Sequence, residues 1–401
     1  MNRKVLLSFL YVYALIFSVL KTIRFPNDWS EAHWLLDYRS GFIKRGLAGE
    51  IFGFFFEKNE LNILIVSALI LVLLYISVLI IPIKQIFKEQ ISIYKVLFYL
   101  IFFLSQYIVF SAHVIGYLDH VVFLLAMLII YLIKRKNILF SSIVLSAAIL
   151  IHEISFFLIL PASFFTLIIT EILNDRFSFG NIFSPVILKK LFQFFTLPFV
   201  VMLSVLLYQE VNGENYYSLI LHDLKHYTFI NKNAAESVAT AYSESFRYYL
   251  SNEGRYFFKR IFFSKCTVLF GIPLLFLLLM TYKEFKNLNL SLFILFVVVS
   301  LFPLLLHAIA WDTIRIWSFP FMTLFLAFWV VSSHYKTENY SWKLSVFEII
   351  LFMVSIMLVA LVPNNLFNGE AERFSLWIRL IWLIPVILGL YFLKKAPTRI
   401  D

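Results

Sequence analysis

The first residues that could do chemistry lie close together in the segment RFPNDWSEAHWLLDYRSGFIKRG. Its acids precede most of its bases, and the candidates are Asp28, Glu31, Asp37, Arg39, Lys44 and Arg45. A carboxylate can remove a proton from a sugar hydroxyl, while arginine and lysine can stabilise a departing phosphate. Inverting transfer of a sugar from a lipid phosphate needs both functions. We therefore take the three acids as candidate bases and the three cations as candidate phosphate ligands.

A second group of ionisable residues stands where apolar segments begin or end: Asp119, His152, Glu153, Asp312 and Arg315. Such residues are costly near hydrocarbon and are functional candidates for that reason. Structural roles compete, since Asp312 and Arg315 have the i, i+3 spacing of an ion pair on one helix face. His152 and Glu153 could equally cap a helix or join two spans. Asp119 is a further candidate base, and the other four are candidate substrate ligands.

The segment 209–261 is rich in tyrosine and supplies Arg247 and Arg255 as further phosphate ligands. Tyrosine suits stacking on sugars and arginine suits phosphate, although a solvated cap is an equal alternative. The lone cysteine, Cys266, excludes an intrachain disulfide and a Cys-rich metal site. We find no pair of histidines at metal-ligand spacing on a helix. No cofactor is expected, and a divalent metal held by the acids stays open.

The composition indicates that membrane helices position these residues. Of 401 residues, 61% are hydrophobic and 14% are charged, against about 45–50% and about 25% in soluble domains. The 47 phenylalanines fit a surface that faces lipid. The net charge of +10 comes from bases scattered among apolar segments, so nucleic acid is not an expected partner. The chain is expected to be an integral membrane protein.

We predict an all-α, polytopic helix bundle that forms a single transmembrane domain over 1–401. The candidate spans are 5–22, 61–82, 96–112, 120–133, 138–151, 154–171, 191–208, 262–282, 289–307, 316–333, 345–362 and 376–393. The first span resembles a signal peptide but has no small-residue cleavage site, so we expect it to be retained. A break at His152 and Glu153 predicts two short helices there, with one bent span as the alternative.

The distribution of charge predicts how these spans are oriented. Twelve spans place an excess of bases on the cytoplasmic side and a near balance outside, so both termini are predicted to be cytoplasmic. The large outer connections are then 23–60 and 209–261. Residues 29–38 are predicted to form an amphipathic helix in the interface, with Trp29 and Trp34 at headgroup depth.

This arrangement resembles the integral-membrane glycosyltransferases of the GT-C superfamily. The matching stretches are FPNDWSE, YLDHVVFLLAMLIIYL and LIHEISFFLILP, within about the first 170 residues. In that superfamily the first outer loop carries the catalytic acid, and the donor is a sugar on a polyprenyl phosphate. The paired acid of the superfamily is split here as Asp28 and Glu31. The resemblance therefore leaves Asp28, Glu31 and Asp37 open as the base.

The segment DYRSGFIKRGLAGE, the length and the span count are similar to those of O-antigen polymerases (Wzy type) of surface-polysaccharide clusters. This resemblance implies polymerisation of repeat units linked to undecaprenyl pyrophosphate, on the periplasmic side of a bacterial inner membrane. The implied partners are a lipid-linked donor and acceptor and a chain-length regulator. A GT-C transferase that adds one sugar is the second hypothesis. A flippase for lipid-linked oligosaccharides is the alternative from another class.

Overall fold

The computed structural model describes residues 3–88, 91–172, 179–335, 342–364, 366 and 370–395. This part of the chain forms helices joined by short connections, without strands, as the sequence predicts. In chain order the α-helices are α1 (Arg3–Leu20), α2 (Asp28–Leu35), α3 (Gly46–Phe55), α4 (Glu60–Lys88), α5 (Ile93–Leu104), α6 (Gln106–His113), α7 (Asp119–Lys134), α8 (Ile138–Ile151), α9 (Ser155–Glu171), α10 (Pro185–Lys225), α11 (Lys232–Ser243), α12 (Phe246–Glu253), α13 (Phe257–Phe262), α14 (Lys265–Leu269), α15 (Gly271–Glu284), α16 (Leu290–Leu301), α17 (Thr313–His334), α18 (Val346–Ile356) and α19 (Leu376–Lys395).

Eight helical stretches among the described residues are long and apolar enough to cross a membrane. They are Arg3–Leu20, Glu60–Lys88, Ile93–His113, Pro185–Gly213, Lys265–Glu284, Leu290–Ala308, Thr313–His334 and Leu376–Lys394. The other four predicted spans, 120–133, 138–151, 154–171 and 345–362, fall on shorter helices. A helical membrane bundle agrees with these lengths. The count of twelve spans stays a prediction.

The centre of the bundle is formed by α5, α6 and α17, which are buried on almost every face. Phe98 stacks on Phe328 with ring centroids 3.8 Å apart, and Phe102 stacks on Phe325 at 4.2 Å. A helix that is apolar all round packs inside a bundle, whereas α4 and α19 leave most of their apolar surface exposed. The central helix α17 is buried from Ile316 onward, whereas its first residues, Thr313 to Arg315, are half-buried at one end of the bundle.

Helix α2 packs inside the protein at one end of the bundle. Asn27 begins it with a capping box. The side-chain oxygen of Asn27 accepts a hydrogen bond from the backbone N–H of Ser30, and the hydroxyl oxygen of Ser30 accepts one from the backbone N–H of Asn27. Trp34 is buried and donates its indole N–H to the carbonyl oxygen of Gly116, 2.7 Å away. Trp34 is therefore enclosed by protein, and its position at headgroup depth stays a prediction. Trp29 is half-buried.

The connection 209–261 is mostly helical and covers the same end of the bundle. Helix α10 continues past the predicted end of its span to Lys225, and α11, α12 and α13 follow. The end of α11 approaches α10 so closely that a Cβ at Gly213 would overlap the backbone carbonyl of Ser243. Gln209 of α10 donates its amide N–H to the carbonyl oxygen of Tyr242 at 2.9 Å. These contacts fix Tyr242 above the membrane helices.

Candidate functional site

Two ion pairs from distant parts of the chain lie at this end of the bundle. In the first, the Arg45 guanidinium holds both carboxylate oxygens of Glu153, with Nε 2.7 Å from Oε2. His152 places its Nδ1 3.2 Å from the same Oε2. Bidentate arginine–carboxylate pairs are among the stronger and more directional polar contacts. The loop before α3 is thereby joined to the break between α8 and α9.

In the second pair, Arg315 of α17 holds Asp119, the first residue of α7. Its Nε lies 2.7 Å from Oδ2 and its Nη2 lies 2.6 Å from Oδ1 of Asp119. The i, i+3 contact with Asp312 is present but longer, at 3.3 Å. The structural alternative of a pair within one helix thus holds only in part, because the main partner of Arg315 is 196 residues away.

Aromatic rings connect these two ion pairs. His33 of α2 stacks on Tyr242, with ring centroids 5.6 Å apart, and meets Tyr117 edge-on at 5.7 Å. The Arg45 guanidinium lies 5.5 Å from the Tyr242 ring centroid, and that of Arg315 lies 5.2 Å from the Tyr117 ring centroid. Each arginine is therefore positioned by an aromatic face as well as by a carboxylate.

We refer to one set of residues as the polar cluster: His33, Arg45, Asp119, His152, Glu153, Asp312 and Arg315. His33 is within electrostatic reach of both arginines and of Asp119, and Asp312 is within reach of Arg45. The Nδ1 of His33 lies 3.0 Å from the Tyr242 hydroxyl. Burial, and then the positive charge of Arg45, hold the pKa of His33 well below its usual value. This imidazole is neutral at neutral pH.

Lys44 extends the positive side of the polar cluster. Its ammonium donates to the carbonyl oxygen of Glu244 at 2.7 Å, just beyond α11, where a helix end favours a cation. Burial lowers the pKa of Lys44 to about 8, although the charge of Glu153 opposes this shift. Lys44 is consequently protonated at neutral pH and adds a third cation beside the two arginines.

The polar cluster is largely buried, although its paired side chains keep some accessible surface. The accessible fraction of the paired side chains ranges from 6% for Asp119 to 19% for Glu153. Oδ1 of Asp312 is buried, and no group in the described part of the chain donates a hydrogen bond to it. A buried acceptor without a donor is costly, so this oxygen marks a place where a ligand hydroxyl or a water would be stabilised.

Local backbone geometry explains how Arg45 reaches its partner. Arg45 has φ +63°, in the left-handed region that costs a residue with a Cβ about 1–2 kcal/mol. Gly46 follows, and a Cβ there would lie 2.7 Å from the ring of Tyr38. The strained turn is held because α3 packs closely here, and such strain recurs at functional sites.

The predicted acids of the first outer connection lie outside the polar cluster. Asp28 accepts hydrogen bonds from the backbone and side chain of Asn231, at 2.9 and 2.5 Å, which ties α2 to the start of α11. Asp37 is paired with Lys58 and Arg39. Burial acts to raise the pKa of Asp37, but the hydrogen bonds from these two cations lower it overall. Asp28 and Asp37 are thus engaged structurally.

Glu31 differs from these acids because its neighbours are other carboxylates. It is buried in α2, and burial, followed by the charges of Glu60 and Asp28, raises its pKa to about 7. A carboxyl that titrates near neutral pH suits general acid–base chemistry. Glu31 is nevertheless not in contact with either ion pair of the polar cluster. It stays a candidate base on its pKa alone.

The remaining predicted cations are at the surface. Arg39 is exposed over most of its side chain, and Arg247 and Arg255 are exposed on and after α12. Arg255 packs over the ring of Tyr256 with 4.8 Å between guanidinium and centroid. The structure thus brings together Lys44, Arg45, Asp119, His152, Glu153, Asp312 and Arg315. It leaves Asp28, Glu31, Asp37, Arg39, Arg247 and Arg255 outside.

Sequence reasoning missed His33, Tyr117 and Tyr242, which link the two ion pairs. His33 falls between two predicted acids in NDWSEAHW, and that neighbourhood was the available signal. The prediction that no helix carries metal-spaced histidines was also wrong. His222 and His226 lie at i, i+4 because α10 extends through a segment interpreted as a loop.

No protein-family profile, curated protein or solved structure matches this chain. The geometry of the polar cluster is therefore the basis for any statement about function.

Proposed function

We propose that this protein is a membrane glycosyltransferase that polymerises saccharide units linked to a polyprenyl pyrophosphate on the outer side of a bacterial inner membrane. The observation that carries the proposal is the polar cluster together with Lys44, because three cations (Lys44, Arg45 and Arg315) and three carboxylates meet there at one end of a membrane bundle. A negatively charged donor and a hydroxyl acceptor need these two kinds of group side by side.

In the proposed reaction the acceptor hydroxyl attacks the anomeric carbon of the donor saccharide. The bond between that carbon and the pyrophosphate oxygen breaks, and the pyrophosphate leaves with the electron pair. Lys44, Arg45 and Arg315 hold the leaving group through charge-assisted hydrogen bonds. The proton of the hydroxyl passes to Asp119 or Glu153. No nucleotide sugar takes part in this step.

The paired state of the acids supports a coupling between donor binding and proton transfer. Arg45 and Arg315 are each bound to a carboxylate. A pyrophosphate that accepts hydrogen bonds from Arg45 or Arg315 competes with the carboxylate that is paired with that arginine, and so weakens the ion pair. The released carboxylate gains basicity, because an adjacent cation is what favours its ionised form. The base is thus activated where and when the donor is bound.

The test is reconstitution of the full chain in liposomes with a synthetic polyprenyl-pyrophosphate oligosaccharide, followed by mass analysis of the products. The proposal predicts a ladder of products that differ by whole repeat units. Addition of a single sugar from a polyprenyl-phosphate sugar, without a ladder, would replace the polymerase with the GT-C transferase. Movement of the lipid-linked substrate between leaflets without a new glycosidic bond would replace the enzyme with a flippase.

A further inference from the structure

The C-terminal turn of α10 brings two imidazoles and a carboxylate together at the protein surface. His222, Asp223 and His226 are all exposed, and one ligand atom from each lies within 4.8 Å of the others. The two imidazole centroids are 4.6 Å apart, with the rings in an edge-on arrangement. None of these residues belongs to the polar cluster.

Helix geometry explains why the three side chains converge. His222 and His226 are separated by four residues and Asp223 and His226 by three, so all lie on one side of the helix. Nδ1 of His226 lies 2.9 Å from the carbonyl oxygen of His222. Because a carbonyl can only accept, Nδ1 carries the proton and Nε2 keeps its lone pair. This arrangement orients a histidine for a metal ion.

The position in the helix adds electrostatic support. His226 is the C-cap of α10, where the carbonyl groups of the last turn present partial negative charge. A cation is favoured at such an end by about 0.3–1 kcal/mol. The ligand atoms and the field of the helix thus favour the same kind of ligand.

We propose that His222, Asp223 and His226 bind one divalent transition-metal ion of the zinc class. Two imidazole nitrogens and one carboxylate oxygen suit Zn²⁺, whereas Ca²⁺ and Mg²⁺ prefer oxygen alone. Water completes the coordination, since the site is exposed. The ion links His226, at the end of α10, to His222 and Asp223 in the preceding turn, and so stabilises the end of this helix. It is independent of the proposed glycosyl transfer.

The test is isothermal titration of ZnCl₂ into the purified full chain, with a purification tag that contains no histidine. The expected result is one Zn²⁺ per chain for the wild type. In His222→Asn and His226→Gln the affinity should fall by about tenfold or more, since even outer partners of metal ligands are worth that much. Asp223→Asn should weaken binding as well.

His334→Gln is the matched control. His334 is also exposed near a helix end, and its Nδ1 also lies 2.9 Å from the carbonyl oxygen of the residue four positions earlier. His334 is not part of the proposed zinc site, so its substitution should leave the affinity for Zn²⁺ unchanged. Equal affinity in the wild type and in His222→Asn or His226→Gln would overturn the proposal, as would a wild type that binds no Zn²⁺. Because all three ligands are exposed, the variants should keep the elution profile of the wild type.

Discussion

At the scale of single residues, the polar cluster shows how a membrane bundle tolerates charge at its end. Arg45 and Arg315 are each held by a carboxylate and by an aromatic face. Removing one partner of such a pair leaves the other charge buried and uncompensated, which costs more than the pair itself contributes. These residues are therefore coupled, and a comparison of single and double variants measures the coupling.

Arg315→Gln should destabilise the protein by about 2–4 kcal/mol, because the Asp119 carboxylate loses its counter-charge in a site with little solvent. Asp119→Asn in the same chain should recover part of that loss. Thermal unfolding in detergent of the two single variants and the double variant measures the coupling. Losses that simply add would contradict a direct interaction between these two side chains.

Glu31 should make stability depend on pH. Its pKa of about 7 in the folded state exceeds the usual value of 4.5, so the folded state binds the extra proton. Relative to Glu31→Gln, the wild type should lose stability as the pH rises from about 4.5 to about 7. Because solvent screens part of the interaction, we expect the change in the free energy of unfolding to be on the order of 1 kcal/mol. The measurement is the free energy of unfolding of the two proteins as a function of pH. A difference between them that stays constant over this range would exclude the raised pKa of Glu31.

At the scale of elements, the site depends on two segments that a hydropathy profile assigns to loops. Helix α2 delivers His33, and the end of α11 delivers Tyr242 and receives Lys44. Their positions rest on close backbone approaches and on the bond between Asp28 and Asn231. Helices α7 and α17 supply Asp119 and Arg315 at their ends, so these connections complete the site.

Gly213→Ala should separate α10 from the end of α11 and so displace Tyr242. The added methyl group overlaps the Ser243 carbonyl, and overpacking of this kind costs about 1–3 kcal/mol. Gly271→Ala is the control, since its nearest neighbour would be 4.0 Å from the new Cβ. Thermal unfolding compares the two variants. A Gly213→Ala protein as stable as the control would show that this close approach is not required.

The sequence predicts the membrane class, the helical fold and part of the site, for identifiable reasons. Ionisable residues are costly near hydrocarbon, so Asp119, His152, Glu153 and Arg315 stand out. The partners do not, because the link from Arg315 to Asp119 depends on how α7 and α17 pack. Asp28 and Asp37 look as reactive as any acid in the sequence. Only the fold shows that Asn231 donates a hydrogen bond to Asp28 and that Lys58 forms an ion pair with Asp37.

At the scale of the whole molecule, the polar groups of the proposed site lie at one end and α17 runs from there to the other. Its 22 residues span about 33 Å from Thr313 to His334, close to the thickness of a bilayer core. We therefore infer that the polar cluster lies near one membrane surface. The charge distribution predicts that this is the outer surface.

Cysteine labelling checks this orientation. In a Cys266→Ser background, Arg255→Cys introduces an exposed thiol at the end with the polar cluster, and His334→Cys introduces one at the other end. A membrane-impermeant maleimide added to intact cells should label the first thiol and reach the second only after permeabilisation. Labelling in the reverse order would place the polar cluster on the cytoplasmic side and contradict the orientation.

The initial rate of chain extension in liposomes, compared between Glu153→Gln and Glu253→Gln, tests whether the polar cluster takes part in glycosyl transfer. Glu253 forms an equivalent ion pair with Arg260. In both pairs the arginine side chain is 15% accessible and the glutamate side chain is 19% accessible. We predict that Glu153→Gln slows extension by about a hundredfold or more, because it removes either the proton acceptor or the carboxylate that holds Arg45, while Glu253→Gln stays near the wild-type rate. Equal rates for the two folded variants would contradict a role for the polar cluster in glycosyl transfer.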